Sequence, residues 1–255
     1  QRRLENIIAE QLHEQEKNNK LMISILSHIV EFRNGESGLH VLHIQTITEM
    51  LIRQLVQKEN NRYALSKEQI RMITTASALH DIGKISIPDE ILNKPGRLTA
   101  EEFAVIKGHS MAGANMLSEL PLDQKEEPLV KTAYEICRWH HERYDGGGYP
   151  DGLKGEEIPV SAQVVALADV YDALTSERCY KDAYSHEKAI EMILAGQCGA
   201  FNPLMLECLL DISSSLKKKM GYKSKERYEQ TDLSDIASRF HDFEMDSSEK
   251  IVQQL

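Results

Sequence analysis

The sequence predicts an all-α fold, on three observations. Apolar residues recur at three- and four-residue spacing along most of the chain. No run alternates apolar and polar residues as a half-buried strand would. The one segment dense in glycine and proline, 142–159, interrupts helical patterns rather than joining strand patterns.

Each element follows in order. Residues 4–32 place Leu4, Ile8, Leu12, Met22, Leu26 and Ile29 at mostly helical spacing, broken by the polar run 15–20. This N-terminal helix reads either as an exposed helix on its own domain or as a linker or coiled-coil segment from an upstream domain. Its polar middle argues against a strong zipper. A second helix is predicted over about 39–59 and a third over 66–80, opened by a Ser66–Gln69 capping box. The third ends in ITTASALHDIGK, apolar or small on nearly every face, so it is expected to be buried, with Gly83 as its stop signal. Pro88, Pro95 and Gly96 punctuate the next connection, and Thr99 with Glu102 makes another capping box. Helices are then predicted over 100–119, 125–141, 160–176, 186–196 and 203–219. From Lys217 onward the sequence is polar and mixed in charge, as in a solvated extension.

Composition narrows the function. The 255 residues are 41% hydrophobic and 27% charged, as in an ordinary globular protein. Lys and Arg number 30 against 40 Asp and Glu, a net charge of −10. Such a chain lacks the bulk positive field that binds a DNA or RNA duplex. A small anionic substrate would need a local attractor such as a metal ion. The longest apolar stretch, 21–30, is too short to span a membrane and is interrupted by Ser24, Ser27 and His28. Four cysteines without a CxxC pair suggest a reducing cytoplasm. The chain begins at Gln1, without Met, and is expected to be part of a longer protein.

The histidines and aspartates carry the chemistry. His80-Asp81 closes one apolar helix and His140-His141 closes another, just before the glycine segment. Asp169 lies within the apolar run VVALADVYDAL, and His40 and His109 each follow a glycine closely. Buried Asp and paired His are costly unless partnered or metal-bound. Neighbouring residues on a helix point about 100° apart, so a doublet can serve two ions or two positions around one cluster. A carboxylate can bridge two cations while imidazoles take terminal positions, and such mixed ligands suit Fe, Mn, Zn or Co.

Longer motifs join these residues: RNGESGLH, HDIGKISIPDEILNKPGRLTAEE, GHS at His109, HHERYDGGGYPDGLKGEEIP and ALADVYDALTSERCYK. On them the chain resembles an HD-GYP domain of the HD phosphohydrolase superfamily over about 30–215, the GYP triplet being Gly148-Tyr149-Pro150. The resemblance implies a helical bundle with a GYP loop that hydrolyses the bacterial second messenger cyclic di-GMP to pGpG, GMP or both. It implies metal ligands at His40, His80, Asp81, His109, His140, His141 and Asp169, with Asp81 bridging. Glu36 matches a position that some members use for a third metal. Two or three ions, Fe or Mn foremost, are therefore expected. Catalytic roles fall to Asp81 and Lys84. Substrate contacts fall to Lys84, Tyr149, Arg178 and Lys181; Tyr149 would pack on a guanine or shape the loop.

Two departures stand out. Cys179 replaces a usual proline between Arg178 and Lys181, and His43 replaces a common arginine one turn after His40. His43 can orient His40, compete as a ligand, or simply fill a neighbouring pocket. The implied organisation is an N-terminal helix or linker at 1–29, the catalytic domain at 30–216 and a polar extension at 217–255. An upstream sensor or receiver domain and a homodimer through the N-terminal helix are expected partners. Two other functions fit the same motifs: hydrolysis of another cyclic dinucleotide such as 3′,3′-cGAMP, or a weakly active sensor or interaction module.

Overall fold

The computed structural model describes residues 2–33, 39–59, 62–176 and 183–226, and among these there is no strand. The helices are α1 (Arg2–Arg33), α2 (Leu39–Leu55), α3 (Lys67–Ala76), the short α4 (Asp89–Leu92), α5 (Ala100–Ser118), the short α6 (Leu122–Lys125), α7 (Pro128–Trp139), α8 (Val160–Thr175), α9 (His186–Leu194) and α10 (Pro203–Glu226). Two 3-10 turns, Ser77–Leu79 and Ile82–Ser86, follow α3. The chain divides into two compact units, Gln1–Ile212 and Ser213–Leu255. Everything described below lies in the first.

Helix α8 occupies the centre. Ala162, Val164, Val165, Leu167, Ala168 and Tyr171 are all buried, so the helix is covered on most of its circumference, by α2, α7 and α9. On α2, Val41, Ile44, Ile47, Leu51 and Leu55 are buried. Helix α5 packs on α7 and on the turn Ile82–Ser86. The ends of α3 and α7, the start of α2 and the middles of α5 and α8 thereby converge.

Both expected capping boxes form. Ser66 Oγ accepts from the Gln69 amide while Gln69 accepts from the Ser66 amide, and Thr99 and Glu102 do the same. Several expectations change. The polar run 15–20 does not interrupt α1, because its Gln, Glu and Lys are good helix formers and no Gly or Pro intervenes. The helix predicted at 125–141 splits, with Pro128 opening α7 at the position where its missing N–H costs nothing. The helix over 66–80 is α-helical only to Ala76, then tightens into the 3-10 turn.

Gly83 is not a helix stop. It lies within the second 3-10 turn with ordinary backbone angles, and a Cβ there would overlap the His109 carbonyl oxygen and crowd the Gly113 amide. Its hydrogen side chain lets the turn after Asp81 rest directly on α5, which sets the distance between Asp81 and His109.

Candidate metal centre

Seven of the expected ligands come together in two groups. Asp81, His109, His140 and His141 each offer one donor atom within 4.8 Å of the others, and so do His40, His80 and Asp169. Asp81 stands between the groups. Its Oδ1 lies 3.1 Å from His109 Nε2 and 3.8 Å from His140 Nε2, and its Oδ2 lies 3.3 Å from His80 Nε2. In the other group His40 Nε2 lies 3.4 Å from His80 Nε2 and 3.9 Å from Asp169 Oδ1. All are buried except His141 and Asp169, which are half-buried.

The backbone aims these rings. His80 Nδ1 donates to Ser77 O at 2.9 Å, His109 Nδ1 to Ile106 O at 2.6 Å, and His140 Nδ1 to Ile136 O at 2.8 Å. With the proton committed on Nδ1, each Nε2 turns its lone pair inward. His40 gets the same orientation from a carboxylate, Nδ1 donating to Asp172 Oδ2 at 2.6 Å. Asp172 Oδ1 is taken by His43 Nδ1, also at 2.6 Å, and by Ser176 Oγ at 2.9 Å. His43 is therefore an orienting residue acting through Asp172 rather than a ligand. Inward Nε2 atoms around a shared buried carboxylate fit transition-metal ions well.

The charges divide along the same line. Burial, together with His80 and His109, pushes His140 down to about 3. Burial and His140 also hold His141 well below its usual range. Burial opposes charge on His40 too, but Asp172, Glu31 and Asp169 push it up to about 10. Burial works against the Asp81 carboxylate, yet Lys84, His80 and His109 hold its pKa well below the usual carboxylate range.

Lys84 Nζ sits 2.7 Å from Asp81 Oδ2. Tyr149 stacks on His141, with ring centroids 4.8 Å apart. Its segment is well held. Glu142 Oε1 accepts from the amides of Asp151 and Gly152 at 2.7 and 3.0 Å. Asp151 in turn takes Arg138 Nε and Trp139 Nε1, both at 2.7 Å. Gly148 has no room for a Cβ, which would overlap the Arg143 amide, and Gly146 has φ +83°. The Tyr149–Pro150 bond is cis. Glu36, Arg178 and Lys181, and Cys179 with them, lie outside the described residues.

Sequence reasoning missed Asp172, Glu142 and Glu31. Asp172 had a signal, being a second acid three residues after Asp169 on an apolar helix. Glu142 follows the His doublet directly. Glu31 is 2% exposed with Oε1 3.9 Å from His40 Nε2; it lies within the expected domain but just before the first matching motif, which begins at Arg33.

Fold and site together define a helical protein with a candidate metal-binding centre built around a His-Asp doublet. The chain belongs to the HD domain family, whose model matches residues 3–201, and its GYP triplet places it in the HD-GYP branch. It is 39% identical over 213 residues to a probable cyclic di-GMP phosphodiesterase of Vibrio cholerae serotype O1, covering 81% of this chain and 47% of that protein. It is 38% identical over 193 residues to the 3′3′-cGAMP-specific phosphodiesterase 2 of the same organism, covering 76% of this chain and 34% of that one. The chain thus spans no more than about half the length of either curated relative. An HD-GYP-type protein of Bdellovibrio bacteriovorus shares the fold, with a TM-score of 0.51 at 22% identity over 68% of this chain and 51% of that one. Among the described residues, no helix is long and apolar enough to cross a membrane.

Proposed function

We propose that this chain is the catalytic part of a metal-dependent phosphodiesterase that hydrolyses cyclic di-GMP to pGpG, GMP or both in bacterial second-messenger signalling. One observation carries the reading: the two oxygens of Asp81 face two separate groups of inward-turned imidazoles. Two or three ions, Fe or Mn, would be held by His40, His80, Asp81, His109, His140, His141 and Asp169, with Glu36 as the candidate for a third. Such ions supply Lewis-acid polarisation of a phosphodiester and of water, and offset charge developing at phosphorus.

The chain's own groups do the rest. Asp81 stays ionised in the buried site and fixes the spacing of the two groups. Lys84, held 2.7 Å from Asp81, places an ammonium where it can turn to a phosphate oxygen. Tyr149, braced on His141, forms the wall on the loop side. Arg178 and Lys181 would hold phosphates, the guanidinium through its paired donors. The other partners remain part of the same reading: an upstream sensor or receiver domain, a homodimer through α1, and a cytoplasmic setting. For the dimer, the support is the exposed apolar side of α1, where Met22, Ile29 and Phe32 are all more than half exposed.

A second reading, hydrolysis of 3′,3′-cGAMP, is favoured by the relative of that specificity. Oxygen-free purification with metal analysis and chromatography of both cyclic dinucleotides tests the assignment. Turnover of cyclic di-GMP by protein holding about two or three metals per chain is expected. Full activity in a protein carrying both His80→Ala and Asp81→Ala would defeat it.

A further inference from the structure

Beside the metal centre, α5 and the GYP segment make a cationic arm that the reading above does not use. Lys107 is half-buried, two residues before His109 on α5. Its Nζ lies 5.6 Å from the centre of the Tyr149 ring and 5.5 Å from that of Phe103. The other neighbour of Tyr149 is the ring of His141, at 4.8 Å. A line of contacts therefore runs from the centre outward: His141, Tyr149, the Lys107 ammonium, Phe103. Phe103 is 48% exposed at the outer end.

Two features of Lys107 matter together. In a chain with net charge −10, its ammonium makes no ion pair with a carboxylate among the described residues. Lys84 and Lys94, by contrast, are paired with Asp81 and Glu102. Two ring faces hold the charge instead, and aromatic faces attract a cation without using up its N–H donors. The donors stay available to an acceptor arriving from solvent.

We propose that Lys107 binds the phosphate of the cyclic dinucleotide that is not being cut, and that the open face of Phe103 receives the adjoining base. This deepens the phosphodiesterase reading and rests on it. A cyclic dinucleotide has two phosphates across one ring, and the metals can engage only the one being cut. The second is open to a cation near the centre but separate from its ligands, in addition to Arg178 and Lys181. Lys107, one aromatic ring away from His141, is such a cation, and a base can stack on an exposed aromatic face.

The test is steady-state kinetics of the metal-loaded protein and its Lys107→Met and Lys107→Arg variants, with metal content measured on each. Two substrates are compared: cyclic di-GMP and bis(p-nitrophenyl) phosphate, a diester with one phosphate. Lys107→Met is expected to raise KM for cyclic di-GMP about tenfold, the loss of a hydrogen bond to a charged group, while leaving bound metal unchanged. Its KM for the single-phosphate diester should move by less than about twofold, because uniform binding of a remote group is lost only where that group exists. Lys107→Arg should restore most of the affinity. Equal losses on both substrates, or an unchanged KM for cyclic di-GMP in a wild-type background that turns it over, overturn the inference alone. A wild type that splits the simple diester but neither binds nor cleaves cyclic di-GMP overturns the substrate reading and this inference together.

Discussion

The two halves of the centre contain the same donor types and differ in what stands behind them. His109 and His140 are aimed by helix carbonyls three and four residues back, and Asp81 is the only carboxylate in their group. His40 is aimed by Asp172, and Asp169 and Glu31 also lie within 4 Å of its ring nitrogen. In the first half His140 is held down at about 3 and His141 well below its usual range, while the second half drives His40 up to about 10. Neutral imidazoles such as His140 and His141 offer their lone pairs at once. A carboxylate-rich cluster holds a proton in place of a cation, and a metal must displace it. Similar ligands can thus be tuned differently by the residues one layer out.

Removing the part common to both halves has the largest effect. Asp81→Asn leaves each group without its shared charge, so turnover of cyclic di-GMP should fall on the order of a thousandfold. Metal content should drop in the same preparation. If Asp81→Asn kept its full metal load and rate, the halves would be independent and the carboxylate would not link them.

A smaller change should separate them. Asp172→Asn loses the charge that orients His40 and leaves the other group untouched. Metal affinity of the His40 half should fall about 10–100-fold, as when a ligand's supporting carboxylate is removed. Metal titration should then resolve one weakened site beside one normal one. Uniform weakening of both sites would show that Asp172 supports the fold rather than one half.

Legibility in the sequence follows the same division. The doublets His80-Asp81 and His140-His141 were readable because ligand and helix end coincide, and the orienting partners are main-chain atoms of the same turn. Asp172 was not readable. Its role depends on pairing with His40 and His43, 132 and 129 residues away, which only the packing of α8 on α2 creates. Gly83 was misread for a related reason. A glycine after a helix looks like a stop, yet this one is required by contact with α5, 26 residues later in the chain. Glu31 shows the limit of motif boundaries, since the first matching motif begins at Arg33 and α1 delivers a buried carboxylate from just before it.

The smallest expected effect is a pH dependence that only the carboxylate-rich half should produce. His40 is raised in the folded, metal-free protein from an ordinary value of 6.5 to about 10. Its proton therefore contributes stability that is fully present below about 6.5 and is lost as pH rises through about 10. His80 is raised as well, because Asp81 and Asp169 outweigh its burial, and it acts in the same direction. His140 adds no slope there, because above about 6.5 it is neutral both folded and unfolded. Metal-free protein should accordingly show a Tm that declines between about pH 7 and 10. Metal-loaded protein has already given up the His40 proton, so its Tm should hold steadier and the gap between the two should widen with pH. Thermal melts of stripped and loaded protein at matched ionic strength measure that gap. In Asp172→Asn the widening should shrink, because the main group raising His40 is gone. A gap that stayed constant with pH would mean that both halves bind metal without displacing a proton, and the contrast drawn between them would fail.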